Sequence, residues 1–109
     1  MMQDRVIGKE APDFLSGMFS DDDEIRQWVQ STDLAVLGRQ SKDEKIRMIL
    51  TLMSGWISDD DVSAMARICR SVNNRSEAQA IRDAITPHLI DMTSIGQRTQ
   101  MRVTLSQMP

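Results

Sequence analysis

Tyrosine is absent from this chain, and its aromatic set is Phe14, Phe19, Trp28 and Trp56 alone. A core built from it relies on Leu, Ile and flexible Met, of which there are nine. A single cysteine, Cys69, excludes an internal disulfide, so a reducing compartment such as the cytoplasm is expected. Glycine (5) and proline (3) are scarce, which separates the chain from disordered and fibrous classes. Long apolar runs are missing too. The stretch Met48 to Met53, broken by Thr51, is the longest near the middle and falls far short of the roughly twenty residues that span a bilayer. The opening Met1-Met2-Gln3-Asp4-Arg5 carries charge with no apolar stretch behind it, unlike a standard secretory signal peptide, although export by a route needing no such signal is compatible with it.

Excess positive charge is also lacking. Thirteen Lys and Arg against sixteen Asp and Glu leave a net −3, which argues against nucleic acid or an anionic membrane as the main partner. No Gly-rich phosphate loop, nucleophile elbow or paired-cysteine metal motif occurs. One histidine, His88, and one cysteine fall short of the usual zinc ligand set. The expectation is a protein with no catalytic residue, cofactor or metal.

What is present is one domain's worth of residues, 109, carrying an internal repeat. Phe14-Leu15-Ser16-Gly17-Met18-Phe19-Ser20-Asp21-Asp22-Asp23 aligns with Leu52-Met53-Ser54-Gly55-Trp56-Ile57-Ser58-Asp59-Asp60-Asp61 at an offset of 38. Ser41-Lys42-Asp43-Glu44 and Ser76-Glu77-Ala78-Gln79 align at 35, each resembling a capping box that opens a helix. Ser20 and Ser58 read as N-caps, followed by acids that suit the positive end of a helix dipole. Apolar residues at helical spacing follow: Ile25, Trp28 and Val29; Ile46, Ile49, Leu50 and Met53; Val62, Met65, Ala66 and Cys69; Ala78, Ile81 and Ile85. Thr86-Pro87 should start a short helix carrying Leu89, Ile90, Met92 and Ile95 and stopped by Gly96, and a turn is expected at 34–37.

The predicted fold is all-α, a small bundle of two duplicated helical hairpins with a short fifth helix and an extended C-terminal tail. Residues 1–13 form an N-terminal arm, 14–96 one helical domain with units 14–50 and 52–89, and 97–109 the tail. Leu15, Ile25, Trp28, Val29, Ile46, Ile49, Leu50, Met53, Val62, Met65, Ile68, Ile81, Ile85 and Leu89 are the expected core. A fully buried Trp28 would make Trp28→Ala cost about 3–5 kcal/mol. In the tail, Met101, Val103 and Leu105 alternate with polar residues, which is strand periodicity. Arg98 and Arg102 give residues 92–109 a charge of +2, leaving −5 on the preceding 91 residues.

The twin Ser-Asp-Asp-Asp clusters do not fit an EF-hand loop: counted from Asp21 its glycine and glutamate positions hold Arg26 and Thr32, and from Asp59 Ala64 and Arg70. The settings Ser16-Gly17-Met18-Phe19-Ser20-Asp21-Asp22 and Ser54-Gly55-Trp56-Ile57-Ser58-Asp59-Asp60 do resemble the interhelical loops of annexin repeats. The second loop glycine of that family is replaced by Phe19 and Ile57, and each unit is about half the family's repeat length. The resemblance implies calcium at the carbonyls near Gly17 and Gly55, with Trp56 meeting lipid. The main functional expectation is a non-catalytic helical interaction module, of the kind that serves as a bacterial accessory, adaptor, inhibitor or effector-associated subunit. It would bind a protein partner or itself through Met18, Phe19, Trp56, Ile57, Arg98, Met101, Arg102, Val103 and Leu105. Calcium-dependent surface or membrane binding, and a small secreted effector with unrecognised chemistry, are the alternatives.

Overall fold

The computed structural model describes residues 22–109 and is an all-α small bundle. The helices are α1 (Asp22–Ser31), α2 (Leu34–Gly38), α3 (Lys42–Leu52), α4 (Asp59–Arg70), α5 (Arg75–Ile85), a 3-10 turn (Thr86–Asp91) and α6 (Ile95–Ser106). α4 is central: α1, α2, α3 and α6 all pack on it, while α5 packs on α3 and leads through the 3-10 turn to α6. The expected turn at 34–37 is the short helix α2. At its end, a Cβ added to Gly38 would meet the Ser71 carbonyl at 3.1 Å, a tight contact that would push the two segments apart by a few tenths of an ångström.

Caps set the helix starts. Ser41 accepts from the Glu44 N–H while its own N–H donates to Glu44, both at 3.1 Å, and Ser58 and Asp61 form the same reciprocal pair at 3.0 Å. The second predicted box at Ser76 does not form. Asn74 caps α5 instead, accepting from the Glu77 N–H at 2.8 Å, because asparagine caps as well as serine, and the expected stripe of Ala78, Ile81 and Ile85 is buried. The repeat register shifts accordingly. Lys45, Met48 and Leu52 of α3 correspond in burial to Ala78, Ile81 and Ile85 of α5, 33 positions on rather than 35.

α3 also turns on its axis relative to expectation. Met48, Ile49 and Leu52 are buried and Ile46 and Leu50 only half-buried, because Lys45 faces inward. Its side chain is 1% exposed, and Nζ donates to Glu77 Oε1 at 2.7 Å and to the Gly38 carbonyl at 3.1 Å. Trp28 is likewise half-buried against the core, so the cost of Trp28→Ala falls below the range for a fully enclosed ring. All six methionines among the described residues are buried, which assigns them to the core and not to a surface. Leu15 and the Ser20 cap lie outside the described residues.

The C-terminal segment departs most from expectation. Residues 97–109 are not an extended tail. Ser94 caps α6 by accepting from the Gln97 N–H, and Gly96 lies within its first turn and stops nothing. Met101 and Leu105, four apart, face the core with Met108, while Val103 is 48% exposed. The period is that of a helix. Positions 101 and 105 satisfy both periods, and the exposed residue between them decides which holds. Before it, Pro87 keeps 86–91 as a 3-10 turn that buries Leu89, with Met92 buried just beyond.

Arginines close several helix ends by donating to carbonyls left without intrahelical partners. Arg67 reaches Val29 at 3.1 Å and Thr32 at 2.7 Å at the end of α1. Arg82 reaches Leu105 at 2.9 Å and Met108 at 2.8 Å at the end of α6. Among the described residues, no helix is long and apolar enough to cross a membrane.

Candidate functional site

The loop between α3 and α4 is positioned by chemistry already legible in the chain. α3 ends at Leu52 with Met53 as its C-cap, Gly55 turns the backbone beyond it with a positive φ of 67°, and Ser58 with Asp61 fixes the start of α4. Between these two points Ile57 folds back onto the core, and Trp56 projects outward with 84% of its surface exposed. Grooves open on both sides of it. One, of about 590 Å³, runs to the start of α1 and is lined by Asp22, Asp23, Arg26 and Asp61. The other, of about 430 Å³, runs to the start of α6 and is lined by Asp91, Thr93, Ser94 and Gln97.

The floor of this region is tied together by hydrogen bonds. Gln97 Nε2 donates to the Ile57 carbonyl at 3.1 Å and to Asp59 at 3.0 Å, fixing α6 against the loop. Arg26 bridges Asp23 at 2.8 Å and Asp61 at 3.2 Å. Bonding to Asp61, then to Asp23, raises the guanidinium pKa above its ordinary value. Arg98 donates to the Met92 carbonyl at 2.8 Å. Two further apolar side chains at this end, Ile90 and Ile95, are 79% and 74% exposed. Sequence reasoning placed both inside a short amphipathic helix, and only the 3-10 turn and the new start at Ser94 turn them outward.

The predicted contact residues therefore separate. Trp56 is on the surface, Ile57 is mostly covered, and Arg102 and Val103 sit on the outer face of α6. Met101 and Leu105 are enclosed in the core and are removed from the contact set. Arg98 is engaged in closing the loop before α6. Met18 and Phe19 lie outside the described residues.

The two side chains best suited to chemistry occupy opposite ends of the bundle. His88 is half-exposed, 3.8 Å from Asp91. Cys69 is buried near the end of α4, beside a cavity of about 220 Å³ lined by Arg70, Val72, Thr104 and Met108. Burial pushes its thiol up to about 12, against the weaker opposing pull of Arg70 and Arg82. A group with its folded pKa raised above the unfolded 9.0 holds its proton more tightly when folded. The stability this contributes is intact below about pH 9 and is lost as pH climbs toward about 12. The native thiol therefore stays protonated at pH values where a free thiol has begun to ionise. Alkylation by iodoacetamide should accordingly follow the unfolding curve in denaturant, and rapid labelling of the native protein would contradict this burial.

For the Gly55 loop, both Asp61 oxygens are already engaged, one by the Ser58 N–H and the other by Arg26. Among the described residues no group of three or more His, Cys, Asp or Glu is arranged to hold a metal ion. No family profile, curated protein or solved structure significantly matches the chain.

Proposed function

We propose that this chain is a non-catalytic protein-interaction module, an accessory or adaptor subunit whose anchor is Trp56. The observation that supports the reading is the 84% exposure of a tryptophan in a short loop that the Ser58–Asp61 cap anchors two residues on. An indole offers about 150–250 Å² of contact area, and at about 25 cal/mol per Å² that is several kcal/mol left unrealised in the free chain. Tryptophan is also the residue type that most often carries binding energy at interfaces. Rigid support matters because little ordering entropy remains to oppose association.

The test is affinity capture with the wild-type chain and with Trp56→Ala, compared quantitatively by mass spectrometry. Because Trp56 touches little of the core, the variant should keep its unfolding midpoint within about 0.5 kcal/mol of the parent. It should lose a specific partner by about tenfold or more, the scale of a central aromatic anchor. Equal capture by a folded variant would reject the reading.

A further inference from the structure

The end of the bundle that carries Trp56 is acidic. The first turns of α1 and α4 both point there, each holding three carboxylates, and Asp91 closes the far side of the groove toward α6. Among the described residues the cations at this end are Arg26 and Arg98. Arg26 sits between Asp23 and Asp61 and offsets one of those two carboxylates, and Arg98 keeps its charge while donating to the Met92 carbonyl; against these two cations stand the six carboxylates of the two first turns and Asp91, so the end stays acidic. Asp91 lines the Trp56–Gln97 groove and Asp59 lies beside it, accepting from Gln97 at its edge; both are exposed.

We infer that this groove docks a cationic protein segment, one that lays a large apolar side chain beside the indole and Lys or Arg side chains against Asp59 and Asp91. This rests on the reading that Trp56 anchors a partner, and adds the chemistry of that partner. Charge complementarity selects the occupant. A second copy joined through the same face would place two acidic rims against each other, and like charges so placed cost several kcal/mol. An anionic lipid surface meets the same repulsion. A cationic segment gains on both counts, since an arginine or lysine over the exposed indole face adds a cation–π attraction. Association is correspondingly steered by charge and weakened by salt.

The test uses the full chain, a synthetic peptide of Lys, Arg and Leu, and a control peptide with every cation replaced by Glu. Calorimetry gives affinity, and the Trp56 indole N–H signal, assigned with Trp56→Phe, reports the place of binding. The cationic peptide should bind and shift that signal, weakening at least about tenfold as ionic strength rises from about 0.01 M to about 1 M and the screening length shrinks to about 3 Å. Joint Asp59→Asn and Asp91→Asn replacement should weaken it by about tenfold while the variant keeps a cooperative unfolding transition. Equal affinity for the glutamate peptide, salt-independent binding, or an unmoved indole signal overturns the inference. So does concentration-dependent dimerisation, or binding to phosphatidylserine vesicles, with no response to the cationic peptide. If Trp56→Ala abolishes partner capture yet neither peptide binds, this inference falls and the anchoring role stands. If capture ignores Trp56→Ala, both fall.

Discussion

Deleting residues 97–109 should unfold the protein. The segment carries most of α6, and three of its side chains, Met101, Leu105 and Met108, are buried against the rest of the core. At about 1.5–3 kcal/mol for each large apolar side chain withdrawn from water, their removal costs on the order of 5–9 kcal/mol. A small domain has about 5–15 kcal/mol in total. The truncation would also uncover the face of α4 on which α6 packs and strand the Arg82 guanidinium, which loses its carbonyl acceptors at Leu105 and Met108. Circular dichroism with urea titration should show a chain without a cooperative transition. Joint Arg102→Ala and Val103→Ala replacement is the matched control, because both residues face outward, and it should stay within about 0.5 kcal/mol of the parent per site. A truncated chain that keeps most of the parental midpoint would show that α6 is dispensable.

The second large effect is expected at Glu77→Ala, with a loss of about 3–5 kcal/mol, the scale for removing one partner from a buried ion pair. Glu77 is the only carboxylate bonded to Lys45 among the described residues, and Lys45 is enclosed on every side. Without it, an ammonium group remains in the core with one carbonyl acceptor, Gly38. Glu77→Gln should cost less, since an amide oxygen still accepts a hydrogen bond. Joint Lys45→Met and Glu77→Leu replacement should recover most of the loss, because taking away both charges also removes their desolvation penalty. Chemical denaturation of the three variants checks this. A Glu77→Ala loss below about 1 kcal/mol would mean that water reaches Lys45 after all.

These two sites mark where reasoning from the chain alone met its bounds. The all-α architecture, the starts of α3 and α4, and the inward stripes of α4 and α5 were legible, because caps and 3.6-residue periodicity act between neighbours in sequence. Lys45 was not legible. Hydropathy places a lysine outward, and only the meeting of α3 with α5 supplies the carboxylate that brings it in. Its inward turn also explains why Ile46 and Leu50, expected in the core, stay half-buried.

The interaction surface was legible in part. The loop bearing Trp56 stood out as glycine, aromatic and cap in succession, but the same loop also places Ile57, and the chain does not say which of the two folds back. Ile90 and Ile95 were missed because their exposure depends on a 3-10 turn followed by a fresh helix start. Met101 and Leu105 were misplaced, since a two-residue and a four-residue period coincide at alternate positions of so short a segment.

By itself, then, the sequence determined the helical class, the inward stripes of α4 and α5 and two of the capped starts, all set by interactions within a few residues. The tertiary structure decided which face of α3 turns inward, that 97–109 is a packed helix, and that the acids of α1 and α4 gather at one end around Trp56. Each of these depends on groups distant in the chain. Burial and charge become definite only once helices that do not adjoin in sequence are brought into contact.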